Sequence, residues 1–110
     1  MNGILNKLKS TEIGKDLMKI KLEKNKPPFK GAIQIYSEGA TVQNRFGGDS
    51  VELNALELSI YDTIMGLDSM YANGFSAVNG ITMANQHEET ERGLAWFMKF
   101  NPKAYMILLD

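Results

Sequence analysis

The stretch Val51–Tyr71, VELNALELSIYDTIMGLDSMY, decides the fold. Leu56, Ile60, Ile64, Leu67 and Tyr71 recur at spacings of three and four, which lines them up on one face of a helix. Leu58, Tyr61 and Met65 widen that face, so Glu57, Ser59, Asp62, Thr63 and Asp68 leave a narrow polar strip. A helix this broadly apolar packs on more than one neighbour. Three signals mark its start. Asn54 is an N-cap whose side-chain oxygen can accept an orphan N–H of the first turn. Glu57 lies three positions on and can reach back to the N–H of Asn54, completing a capping box, while Leu53 and Leu58 are spaced as a hydrophobic staple. The stop is expected at Asn73-Gly74, a pair suited to a left-handed exit. Gly66 costs about 1 kcal/mol relative to alanine inside a helix, which makes it a candidate for a close crossing.

On the N-terminal side of this helix, Gly47-Gly48-Asp49-Ser50 reads as a flexible junction. Ala32–Tyr36 (AIQIY) and Thr41–Phe46 (TVQNRF) alternate as strands do, with Ser37-Glu38-Gly39 as the turn, so a short β-hairpin is expected over residues 32–46. An isolated two-stranded hairpin is marginal and must lean on the helices or on another chain. Pro27-Pro28 ends any helix before it and divides a basic helical arm, residues 1–26, from a compact helical domain, residues 27–110. Ile4, Leu5, Leu8, Ile13, Leu17 and Ile20 give the arm an apolar face, with Ser10-Thr11 as a break.

On the C-terminal side, Phe75, Val78 and Ile81 are expected to tuck under as anchors, with Asn79-Gly80 as a turn. The next helix begins near Thr82–Asn85, where Asn85 with Glu88 repeats the capping-box spacing and Thr82 competes as cap. Glu88, Glu89 and Glu91 suit the positive end of its dipole. Asn101 caps a last helix with Pro102 at its first position, and the run Tyr105–Leu109 is too apolar to stay free. The fold class is therefore mainly α, a three-helix core with a small β-hairpin, preceded by the basic arm.

Length, composition and charge bound the function. At 110 residues the chain has room for one core. It has no cysteine, which excludes disulfides and thiolate metal sites. It has no apolar run long enough to span a bilayer and no apolar segment behind Lys7 and Lys9 of the kind a secretory signal needs, so a cytoplasmic location is expected. Residues 1–30 carry eight lysines against Glu12, Asp16 and Glu23, a net +5, whereas residues 31–110 carry four basic and ten acidic residues, a net −6. Such a split suits an arm that lies on the acidic body or reaches for an acidic partner. The residues favour the first, with the lysines as the wet side of a helix packed on the core. An acidic protein, nucleic acid or membrane surface is the alternative, and the absence of arginine in the arm argues against base-specific reading.

No catalytic constellation stands out. His87 and Glu91 are one turn apart, as metal ligands can be, but a tight site needs three or four ligands, so His87 reads as an exposed residue at a helix start. Glu57, Asp62 and Asp68 read as the polar side of the central helix rather than as acid–base pairs. Gly47-Gly48-Asp49-Ser50 lacks the lysine and spacing of a phosphate loop. Arg45 and Phe46, beside two glycines, are either an exposed anchor for a partner or, as the residues prefer, an ion-paired arginine with a core aromatic. Lys15 and Lys19 on the arm, and Trp96 and Tyr105 in the aromatic C-terminal third, complete the candidate partner-binding residues.

The segments QNRFGGDSVELNALELSIYDTIMG (residues 43–66) and GLAWFMKFNPKAYMILLD (residues 93–110) together resemble small, uncharacterised proteins of tailed bacteriophages. Those have a variable N-terminus, an ELxxxELxxYDxIMG-like helix and a WF…NPxAYMxLLD-like close. The resemblance implies a phage origin and expression in a host bacterial cytoplasm, and it carries no activity or catalytic residue. The expected function is a non-enzymatic protein-interaction module that binds a host or phage protein or forms a homo-oligomer, with no cofactor, metal, membrane or small-molecule substrate. A nucleic-acid-binding protein using the lysine arm and a virion structural component are the alternatives.

Overall fold

The computed structural model describes residues 12–70, 77–78 and 81–110. The protein is mainly helical, with two small antiparallel sheets among the described residues. Helix α1 (Glu12–Lys24) is followed by strands β1 (Ala40–Gln43) and β2 (Ser50–Leu53), and then by helix α2 (Ala55–Asp68). Strands β3 (Ala77–Val78) and β4 (Ile81–Thr82) lead through a 3-10 turn (Met83–Asn85) into helix α3 (Gln86–Phe100). One turn of helix, α4 (Pro102–Ala104), widens into a π-helical turn over Tyr105–Leu109.

Helix α2 starts where its residues dictate. The side chain of Asn54 accepts the N–H of Glu57 at 2.8 Å, and Glu57 accepts the N–H of Asn54 at 2.9 Å. The helix ends at Asp68, short of the expected Asn73-Gly74, which lies outside the described residues. The helix tightens at its end: the Ser69 N–H and hydroxyl both donate to the Met65 carbonyl at 3.1 Å, and the Met70 N–H turns to the Leu67 carbonyl, three residues back, at 3.3 Å.

The hairpin forms, but not over residues 32–46. Its strands are β1 and β2, with Val42 opposite Val51 and Ala40 opposite Leu53. The segment Ala32–Tyr36 is not a strand. Its last N–H, that of Tyr36, is taken by the Ser59 hydroxyl of α2 at 2.9 Å, and its phenol by Asp62 at 2.6 Å, so this stretch is tied to a helix instead of a ladder. The turn the pairing needs comes from Gly47 and Gly48, with φ of 91° and 101°, a region that glycine enters at no steric cost. These glycines close the hairpin and are not a junction ahead of the helix.

The core lies between α2, α3, the hairpin and the C-terminal turn. Leu53, Ile60, Tyr61, Ile64, Trp96, Phe97, Ala104 and Leu108 are buried together, and Leu67, Met70 and Ile81 form a second cluster. Phe29 packs against both. The helices pack tightly at Gly93, where a Cβ would come within 2.7 Å of Ile64 Cγ1 and 3.1 Å of Phe29 Cζ. Trp96 packs edge-on against Phe97, ring centres 5.2 Å apart.

Helix α3 departs from its expected cap. Asn85 makes no side-chain capping bond, because the 3-10 turn already begins directly after Thr82 and leaves Asn85 in a helical conformation. The expected Asn101 cap does form, with its side chain accepting the N–H of Ala104 at 3.2 Å and Pro102 following. Its amide nitrogen also donates to Glu57 at 2.7 Å. One carboxylate therefore serves the caps of α2 and α4 at once.

Candidate protein-interaction site

Helix α1 does not lay an apolar face on the core, contrary to the preferred reading of the arm. Leu17, Met18 and Leu22 are 63%, 66% and 64% exposed, and Ile20 is 43% exposed. The reason lies in its periodicity. Leu17 and Ile20 point to one side, Met18 and Leu22 to another, and Lys21 falls between them, so no single seam can be buried cleanly. What fixes α1 is its last turn. The Glu23 carbonyl accepts the indole N–H of Trp96 at 3.1 Å, and the Glu23 carboxylate pairs with Lys99 at 3.0 Å. That hydrogen bond from Lys99 holds the Glu23 carboxyl below the usual carboxylate range, with Lys19 and Lys26 adding to the effect. Asn25 closes the helix by donating its side-chain amide to the Lys21 carbonyl at 2.8 Å, just ahead of Pro27-Pro28.

Between the end of α1 and α3 lies an open groove of about 480 Å³, with Pro28, Phe29, Trp96 and Phe100 in its lining and Lys26, Arg92 and Lys99 as its cations. Arg92 pairs with Glu89, a carboxylate that is 2% exposed. Glu89 also accepts the N–H groups of Lys30 at 2.9 Å and Gly31 at 3.3 Å, and so pins the segment after the prolines to α3. It does not merely sit at the positive end of a dipole. A buried charge with three donors is invisible in a run of glutamates, because nothing in Glu88-Glu89 says which of the two turns inward.

The second uncovered surface is the hairpin tip. Phe46 is 84% exposed, so the core position preferred for it is not the one it takes. Arg45 is ion-paired as expected, to Asp68 at 2.8 Å, and its guanidinium lies 4.9 Å from the Phe46 ring centre. Asn44, which the sequence does not single out, wires the tip. It accepts the N–H of Phe46 at 2.8 Å and donates to the Ile107 carbonyl at 2.8 Å.

The candidate residues are thus dispersed. Lys15 and Lys19 are exposed on α1, and Arg45 and Phe46 share the hairpin tip. Trp96 is 6% exposed, packed beneath the groove, and Tyr105 is half-buried against the core. The carboxylates weighed for acid–base chemistry all have structural partners: Glu57 the two caps, Asp62 Tyr36, and Asp68 Arg45. His87 is exposed, and among the described residues no three His, Cys, Asp or Glu side chains gather to hold a metal ion. No helix of the described residues is long and apolar enough to cross a membrane. No family model, curated protein or solved structure matches the chain.

Proposed function

We propose that the chain is a non-enzymatic protein-interaction module whose contact element is α1, and that its partner offers an acidic, partly apolar surface. The observation that carries this reading is the uncovered set Leu17, Met18, Ile20 and Leu22 on a helix anchored at its last turn. Covering a leucine or methionine fully is worth roughly 1.5–3 kcal/mol, so a partner that covers three of them gains a working share of its affinity there. Lys15, Lys19, Lys21 and Lys24 set the sign of the partner's charge. Nucleic acid would use the lysines but gains nothing from exposed leucines, and Asp16 and Glu23 interrupt the positive surface. The resemblance to tailed-phage proteins makes an infected bacterial cell the setting in which to seek the partner.

The test is capture from bacterial lysate by the intact chain and by a Leu17→Glu/Leu22→Glu variant shown to fold by circular dichroism. A protein retained by the first, lost by the second and indifferent to nuclease is the expected result. Retention of nucleic acid, with affinity that falls steeply as salt rises, would replace this reading with the nucleic-acid one. Equal capture by both chains would remove α1 from the contact.

A further inference from the structure

The hairpin tip presents its aromatic side chain outward from a hydrogen-bonded turn. Asn44 fixes the Phe46 N–H, the Gly47 N–H returns to the Asn44 carbonyl at 2.9 Å, and Gln43 donates to the Gly48 carbonyl at 2.9 Å. Arg45 covers one side of the ring and is itself held by Asp68. The cost of ordering the loop backbone on binding is therefore already met in the free chain. Directly beside the tip is a groove of about 160 Å³, whose apolar lining includes Ile64, Met65, Leu94 and Leu109 and whose charges are Arg45, Asp68 and Asp110. Arg45 and Phe46 belong to this lining, so anchor and recess form one continuous patch.

A patch that carries both an aromatic knob and a recess can be complementary to itself under a two-fold rotation, the commonest way soluble chains pair. The charges obey the same symmetry. One guanidinium and two carboxylates share the patch, so Arg45 of one copy can face a carboxylate of the other, whereas a strongly basic or strongly acidic partner finds no matching field. Arginine and aromatic side chains are also the types that dominate interface energetics. We infer that the Arg45–Phe46 tip and its groove form an isologous contact through which two copies of this chain associate, each Phe46 entering the groove of the other. This inference uses no residue of α1 and stands apart from the function proposed above.

Sedimentation equilibrium of the full chain, from micromolar to millimolar concentration, tests it. The expected result is a mass that rises from one to two chains, with Phe46→Ala weakening association at least tenfold and Phe46→Trp retaining it. Because Phe46 touches so little of its own chain, Phe46→Ala keeps its melting temperature, which separates loss of contact from loss of fold. A monomer across the whole range overturns the inference, and so does a dimer indifferent to Phe46→Ala. A dimer lost only with Leu17→Glu/Leu22→Glu would assign self-association to α1 instead.

Discussion

Helices α1 and α2 differ by one residue in length, 13 against 14, and by nearly everything else. Helix α2 buries Ser59, Ile60, Tyr61, Thr63, Ile64 and Leu67, and its start is fixed by a reciprocal pair of side-chain bonds. Helix α1 leaves Leu17, Met18 and Leu22 mostly in water and is tied down in its last turn by Glu23. Both have apolar residues at helical spacing. In α2 those residues form a band broad enough to meet the hairpin, α3 and the C-terminal turn. In α1 lysines split the band into two narrow stripes. Helical periodicity alone therefore does not decide burial; the width and continuity of the apolar band do.

The largest expected effect lies in the body, at Glu89. Glu89→Ala removes a buried acceptor that serves two backbone N–H groups and Arg92, whose own side chain is 31% exposed. Leaving these donors without their buried acceptor costs roughly 3 kcal/mol, which thermal unfolding reads as a fall in Tm on the order of 10 °C. A near-neutral result would mean that the 30–31 segment is as loosely held as α1, and the contrast between body and arm would shrink. Next comes Gly93→Ala. The added methyl meets Ile64 Cγ1 and Cδ1 at 2.7 and 2.8 Å, an overpacking cost of about 1–3 kcal/mol against a helix-propensity gain of about 1 kcal/mol. A net loss in urea unfolding is expected, and Ile64→Val in the same chain should recover part of it, because it removes the nearer clash's Cδ1 neighbour.

The caps rank third. Asn54→Ala and Asn101→Ala should each cost about 1 kcal/mol. Since the Glu57 carboxylate accepts from the Asn101 side-chain amide, Glu57→Ala combined with Asn101→Ala should depart from additivity by about 0.5 kcal/mol or more. On the uncovered surfaces the expectation reverses. Leu17→Glu and Phe46→Ala should each shift stability by less than about 0.5 kcal/mol, because neither side chain has much of its own chain to lose.

The parts of this molecule legible in its sequence are those decided by neighbours in the chain. The Asn54–Glu57 capping box, the Asn101-Pro102 restart and the helical band of α2 all depend on residues within a turn of one another, and they form as spaced. What was not legible depends on contacts between distant segments. The strand partner of Ala40–Gln43 proved to be Ser50–Leu53 because Ser59 and Asp62 hold Tyr36 away from any ladder. Phe46 turns outward because Asn44 reaches Ile107, 63 positions away. The inward turn of Glu89 requires the backbone of Lys30 and Gly31, which its own helix cannot foretell. The candidate site was readable as residue types, arginine beside phenylalanine and lysines on an arm, but not as exposed or buried positions.

The smallest effect gives the finest comparison, between an exposed and a buried tyrosine on the two sides of Asp62. The Tyr36 phenol donates to the Asp62 carboxylate at 2.6 Å, and that bond, with the charge behind it, pushes its pKa above the ordinary value, since ionisation would remove the donor and set two anions side by side. Tyr61 is also pushed up, chiefly by burial, with Arg45 opposing and Asp62 assisting. A group whose pKa is raised on folding contributes stability that is full below its unfolded value, about 10, and is lost as pH climbs through the folded value. Both phenols therefore favour the fold at neutral pH and weaken it in strong alkali. Asp62→Asn separates them. Spectrophotometric titration should show Tyr36 ionising closer to its ordinary value, because its dominant cause is gone, while Tyr61 stays high, because the core around it is unchanged. If both fell together, the carboxylate and not burial would govern Tyr61, and the packed side of α2 would be wetter than its side chains indicate.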